Sequence, residues 1–96
     1  MDARSNLYYL KFGVLKMNRN DVVEQITKIF QDVFDDPNLT LKDDTTAQDI
    51  PGWDSVAMIN IIVAIEEHFN IRLKTREIDA LKSVGDLYET VLTKVS

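Results

Sequence analysis

Cysteine is absent from the 96 residues, histidine occurs once and glycine only three times. Without cysteine there is no disulfide, no thiolate metal site and no cysteine nucleophile, a composition that fits the reducing cytoplasm. Gly13, Gly52 and Gly85 are scattered, so no glycine-rich loop can cradle a phosphate. No run of about 18 apolar residues exists, and a membrane-spanning helix is not expected. The stretch "NLYYLKFGVL" (6–15) has the character of a signal-peptide core, but Lys11 interrupts it and no small-residue cleavage site follows. Basic residues are also scarce, 11 Lys+Arg against 16 Asp+Glu. Four of the 11 (Arg4, Lys11, Lys16, Arg19) fall in residues 1–20, leaving seven basic and fifteen acidic side chains in 21–96, a net charge of −8. Such a surface repels phosphate backbones, so nucleic acid is an unfavoured partner. It steers partners with basic surfaces toward it, although solubility alone also accounts for the charge.

The chain has the length of one domain and is 45% hydrophobic, enough for a small core. Residues 1–18 differ from the rest in charge and pattern and read as an N-terminal extension, with 19–96 as the domain. Met17 is a candidate internal start, and an extra helix or strand before it is equally open. Val22, Val23, Ile26, Ile29, Phe30, Val33 and Phe34 recur at three- and four-residue steps and predict a helix over 21–34. Asp21-x-x-Glu24 supplies a capping signature at its start, and Asp35-Asp36-Pro37 a stop, because proline disfavours helical geometry in the residue before it. A long polar connection follows, from Asp35 to Trp53, with Leu39, Leu41, Ile50 and Trp53 as apolar anchors. Within it, "DDTTAQDIPGWD" fails as an EF-hand loop: Thr45 and Ala47 stand where acids are needed, and Gln48 where glycine is.

The segment "DSVAMINIIVAIEEHF" (54–69) is rich in β-branched residues, but it runs sixteen residues without a turn signal. Asp54-Ser55 can cap its start, and Asn70 suits a left-handed turn at its end, so a helix is predicted. Being apolar on most faces, it is expected to be the central element. A short helix over 75–81 and a final one opened by Ser83-x-x-Asp86 complete the reading. The final helix carries Val84, Leu87, Tyr88, Val91, Leu92 and Val95 on one stripe. The predicted architecture is all-α, a bundle of three main helices and one short helix.

Little in this chain can do chemistry. His68 lies thirteen residues beyond Ser55 on the same predicted helix, about 20 Å away at 1.5 Å per residue, too far for a Ser–His couple. The pairs Asp35-Asp36, Asp43-Asp44 and Glu66-Glu67 lack partners at metal-ligand spacing and read as solvated faces. The chain is therefore not expected to be an enzyme or to hold a metal. Ser55 keeps two meanings. It can be a plain helix cap, or a hydroxyl held at the positive end of a helix, where dipole and free N–H groups favour a phosphate-linked group.

Gly52-Trp53-Asp54-Ser55-Val56, followed by "AMINIIVAIEEHFNIRL", resembles the acyl carrier proteins over about residues 20–95. Their signature is Asp-Ser-Leu opening the second of four helices after a long loop. The resemblance implies a 4'-phosphopantetheine esterified to Ser55 by a separate phosphopantetheinyl transferase. The thiol of that arm would hold acyl groups as thioesters for loading ligases or synthases and for acyltransferases. It also implies a non-catalytic carrier, expected to be monomeric and cytoplasmic. Val56 replaces the usual Leu and is expected to seat the helix against the loop. Ala57 and Asn60 stand where carriers of fatty-acid synthesis bear acids, leaving Asp54, Glu66 and Glu67 as the acids of this helix. The Pro-Gly-Trp-Asp-Ser form is more similar to specialised stand-alone carriers, including polyketide-type ones. Partner recognition is accordingly expected at Trp53, Asp54, Val56, Ala57, Met58, Glu66 and Glu67, by shape as much as by charge. Two alternatives stay open: an aminoacyl or peptidyl carrier, and an unmodified helical adaptor in which Ser55 is only a cap.

Overall fold

Helix α1 spans Arg19–Val33, starting two residues before the predicted point. Its cap is Asn18, whose side chain accepts from the Asp21 N–H at 2.9 Å while the Asp21 carboxylate accepts from the Asn18 N–H at 3.3 Å. Asp21 is thus the third helical residue of a capping box, not its first member with Glu24. The spacing signal was misplaced because two polar-x-x-acid frames overlap. The helix ends at a left-handed Asp35 (φ 50°), where the Asp36 N–H reaches back to the Gln31 carbonyl, so the turn is complete before Pro37 acts.

The structure, a computed structural model, describes residues 17–95. The readings of residues 1–16, as an extension or a leader, lie outside the described residues. Met17 packs against the core and Asn18 caps α1.

Three further helices follow: α2 (Ser55–Phe69), α3 (Thr75–Asp79) and α4 (Val84–Val95), and with α1 they form the expected four-helix, all-α arrangement. The described residues contain no strand. A turn of 3-10 helix, Ala47–Asp49, sits unpredicted in the long connection. Val22, Ile26 and Phe30 of α1, Ile61 and Ile65 of α2, and Val84, Leu87, Tyr88 and Val91 of α4 are the most deeply buried apolar side chains. Fully burying such a side chain contributes roughly 1.5–3 kcal/mol. Helix α1 packs on both α2 and α4 and is the shared element of the bundle, the position expected of α2. The expectation for α2 failed because it counted apolar residues without asking which had a neighbour to cover them.

The connection from α1 to α2 is long but held at many points. Ile50 enters the core, and Leu39, Leu41 and Trp53 pack against it, as the anchor pattern predicted. Trp53 meets Phe30 edge-on at 5.2 Å between ring centroids. Gln31 donates from its side chain to the Leu39 carbonyl at 3.1 Å. Thr45 is buried, and its hydroxyl accepts the Lys42 N–H. The Asp43 and Thr45 carbonyls accept from the Gly85 and Val84 N–H groups, both at 2.8 Å, so the loop satisfies the first turn of α4. The approach needs glycine: a Cβ at Gly85 would lie 2.7 Å from the Asp43 carbonyl oxygen. Arg19 ties the same corner together, bonding Glu89 at 2.6 Å and Asp43 at 2.9 Å, with its guanidinium 5.4 Å from the Tyr88 ring centre. The Glu89 bond, opposed by partial burial and helped by Asp43, holds the Arg19 pKa above its ordinary value.

Helix α3 is shorter than predicted, stopping at Asp79. Its start is closed by Glu77, which accepts the Lys74 N–H at 2.8 Å and pairs with Lys94 of α4 at 3.0 Å. The Ser83 hydroxyl accepts the Asp86 N–H, as the spacing predicted, while the Asp86 carboxylate returns to Lys82 rather than to Ser83.

Candidate functional site

Pro51-Gly52 forms the turn that aims the chain into α2. The Trp53 N–H donates to the Ile50 carbonyl at 3.2 Å with Gly52 at φ +89°. This is a turn with proline at its second position and a left-handed residue at its third, which only glycine adopts without strain. Asp54 then caps α2: its carboxylate accepts the Ala57 N–H at 2.9 Å and its carbonyl accepts the Met58 N–H. Ser55 is therefore the first helical residue and not the cap. Its side chain is exposed, and the capping bond that would have explained it belongs to its neighbour. Either residue could have filled the role by sequence; the backbone geometry at Asp54 decides it.

Two grooves flank Ser55. One, of about 530 Å³, combines polar groups such as Thr46, Gln48 and Lys82 with Met58 and Leu81. The other, of about 290 Å³, is lined almost wholly by apolar side chains, among them Met58, Ile62 and Ile78. The first is of the size of small-molecule sites. A phosphate ester on Ser55 would meet the helix N-terminus, and an arm extending from it could follow either groove. These residues fit a covalent phosphopantetheine.

The other residues singled out by sequence fall into distinct places. Trp53 and Met58 are half-buried beside the site, and Asp54 is exposed but engaged in the cap. Val56 is 66% exposed and does not seat the helix against the loop; its position in the turn points it to solvent. Ala57 is buried at 8%, on the inward face with Ile61, so its side chain cannot be read by a partner. Glu66 is half-buried and accepts the Leu73 N–H at 2.9 Å, which fastens the turn after α2. Glu67 is exposed. Asn70 makes the left-handed turn expected of it, with the Ile71 N–H bonded to the Glu66 carbonyl. His68 lies near the opposite end of the same unbroken helix and stacks edge-on with Phe69. Sequence reasoning missed Ile59 and Val63, which are 61% and 46% exposed on the outward face of α2. Their i, i+4 spacing carried the signal, but the helix is so apolar that no polar face marked the outside. Among the described residues no group of three or more His, Asp or Glu side chains could hold a metal. No helix of the described residues is long and apolar enough to cross a membrane.

The described residues thus form a four-helix bundle with an exposed serine at the head of its second helix. Residues 24–91 match the phosphopantetheine attachment site family. The chain is 41% identical to the holo acyl carrier protein of Geobacter metallireducens, solved by solution NMR, with a TM-score of 0.73 over 76% of this chain and 84% of that one. It is 28% identical to an acyl carrier protein of Thermosynechococcus vestitus, over 83% of this chain and 99% of the relative. An acyl carrier protein of Acidothermus cellulolyticus is 25% identical over 80% of this chain and 92% of its own. The chain belongs to the acyl carrier protein family, whose members are carriers rather than catalysts and bear a covalent 4'-phosphopantetheine. Their partners are a phosphopantetheinyl transferase and acyl-handling enzymes.

Proposed function

We propose that Ser55 is the attachment point and that this chain carries acyl intermediates in a specialised lipid or polyketide-type pathway. One observation carries the assignment: Ser55 is exposed at the first position of α2 while Asp54 does the capping. The hydroxyl is thus free to lose its proton and attack the pantetheine-bearing phosphorus of coenzyme A, forming the phosphodiester as the pyrophosphate bond breaks and adenosine 3',5'-bisphosphate leaves, with the arm's distal thiol supplying the thioester chemistry. The first N–H groups of α2 and the helix dipole favour the phosphate. The apolar groove beside Ser55 supports acyl cargo over aminoacyl or peptidyl cargo, which would leave polar groups unpaired there. The uncharged outer face of α2 supports a specialised pathway over general fatty-acid synthesis. Trp53, Asp54, Val56, Met58 and Glu67 are the proposed recognition residues around the site. The cysteine-free sequence supports a cytoplasmic location.

The test is incubation with coenzyme A and a broad-specificity phosphopantetheinyl transferase, followed by intact-mass and fragment analysis. The expected result is a single phosphopantetheinyl addition on Ser55 that is absent from Ser55→Ala. An addition elsewhere would overturn the assignment, and an unmodified chain would overturn it and favour the adaptor reading.

A further inference from the structure

Charge is divided unevenly within this acidic domain. Four of the seven basic residues of 21–96 (Arg72, Lys74, Arg76 and Lys82) fall in one short stretch that holds only two acids, Glu77 and Asp79. The rest of 21–96 has three basic and thirteen acidic side chains. All four cations are exposed, and none makes an ion pair among the described residues. Glu77 does not offset them, since it is half-buried and engaged by Lys94 and the Lys74 N–H. The backbone under this strip is held at nearly every step. Leu73, buried between exposed Arg72 and Lys74, donates its N–H to Glu66 at 2.9 Å. The Ile78 N–H returns to the Lys74 carbonyl at 3.0 Å, the Ala80 N–H to the Arg76 carbonyl at 3.2 Å, and the Lys82 N–H to the Asp86 carboxylate at 2.9 Å. The cations therefore stand on a fixed support, which lowers the ordering cost of a contact made there. The strip also adjoins the site, because Ile78, Leu81 and Lys82 line the grooves beside Ser55.

We infer that this cationic strip along α3 docks an acidic patch on an acyl-handling enzyme that works on the arm. Charge sets the chemistry of the contact, since guanidinium and ammonium groups pair with carboxylates. It also excludes the other polyanions. A nucleic acid or an anionic lipid surface extends past the strip and meets the surrounding acids, beginning with Asp54 in the same groove as Lys82. A protein can set its carboxylates opposite the four cations alone. Place sets the occupant: an enzyme that receives the arm approaches the grooves whose wall α3 forms. The inference rests on the reading of Ser55 as the attachment point. It makes the sign of recognition at α3 opposite to the one that the net charge of the domain implies.

The experiment takes the full chain after loading by a transferase, with intact mass showing the arm on Ser55, and follows its backbone amides by NMR. The probe is a synthetic amphipathic helix with glutamate on one face and leucine on the other. Amide shifts are expected to centre on residues 72–82. The Kd should rise at least about tenfold in the variant that combines Arg72→Gln, Lys74→Gln and Arg76→Gln, and again between about 0.05 M and 0.5 M salt. Thermal unfolding shows that the variant is folded. A twin helix with lysine in place of glutamate should leave 72–82 unshifted. A Kd unmoved by the triple variant, or a lysine helix that binds 72–82 equally well, overturns the inference. So does binding to vesicles of phosphatidylglycerol in phosphatidylcholine that the triple variant abolishes, which assigns the strip to a lipid surface. Each of these leaves the labelling of Ser55 standing, whereas a chain that gains no arm removes both readings.

Discussion

Removing the Asp54 cap should cost more stability than removing the Ser55 hydroxyl, although the two residues are adjacent and sequence alone gives the cap to either. In Asp54→Ala the Ala57 N–H loses its 2.9 Å partner and the first turn of α2 keeps an unsatisfied donor. Loss of an N-cap costs about 1 kcal/mol, within roughly 0.5–2. Asp54 is exposed, so water can reach part of the freed N–H and the lower half of that range applies. For a domain of this size about 1 kcal/mol moves Tm by roughly 4–8 °C. Ser55→Ala removes no hydrogen bond in the structure and places the best helix former at the first helical position, so its effect stays within about 0.5 kcal/mol. Asp54→Asn keeps an acceptor in place and should match the unaltered chain within a few tenths of a kcal/mol. Urea unfolding followed by circular dichroism, on unmodified protein, reads all three. If Ser55→Ala destabilises as much as Asp54→Ala, the hydroxyl is a structural cap, and the argument that it is free for modification fails.

Gly85→Ala should destabilise by roughly 1–3 kcal/mol, as the Asp43 carbonyl is pushed off the first turn of α4; a rise in the urea midpoint would mean that the loop is not clamped there. The Tyr88 hydroxyl is buried with no hydrogen-bond partner among the described residues. Burial pushes its pKa up, with Thr27 opposing. Tyr88→Phe is therefore expected to be neutral or to stabilise by up to about 1 kcal/mol, and a clear loss on urea unfolding would show that the hydroxyl is paired. The Lys74 N–H, helped by Lys94, holds the Glu77 carboxyl below its ordinary value of 4.5. A depressed folded pKa gives stability that is present above pH 4.5 and lost as pH falls through the folded value. Glu77→Gln should flatten that acid limb in a pH series of Tm, and an unchanged slope would refute the pairing.

How much of this was legible beforehand varies by element. Helices α1 and α4 could be read closely, because each has one apolar stripe against a polar background and that contrast reports a buried face directly. The ends were less legible: Asn18 and Asp21 compete with Asp21 and Glu24 for the same signature, and only dihedral angles choose between them. Helix α2 was identified correctly but oriented wrongly. With apolar residues nearly all round, its sequence does not say which of Val56, Ala57, Ile59 and Ile61 faces the core. Nothing local predicts that Gly85 receives the Asp43 carbonyl, since that contact joins residues far apart in the chain.

By itself the sequence determined the helical class, the order of the elements and the hydroxyl at the head of the most apolar helix. These depend on periodicity and on local dihedral preference, which neighbouring residues encode together. Tertiary structure alone decided that Asp54 and not Ser55 closes the helix, that Ala57 turns inward, and that Val56, Ile59 and Val63 remain outside. The cap depends on the backbone angles at Asp54, while the other outcomes depend on which side of α2 meets α1, and a helix with little contrast around its circumference leaves that choice to its packing partners.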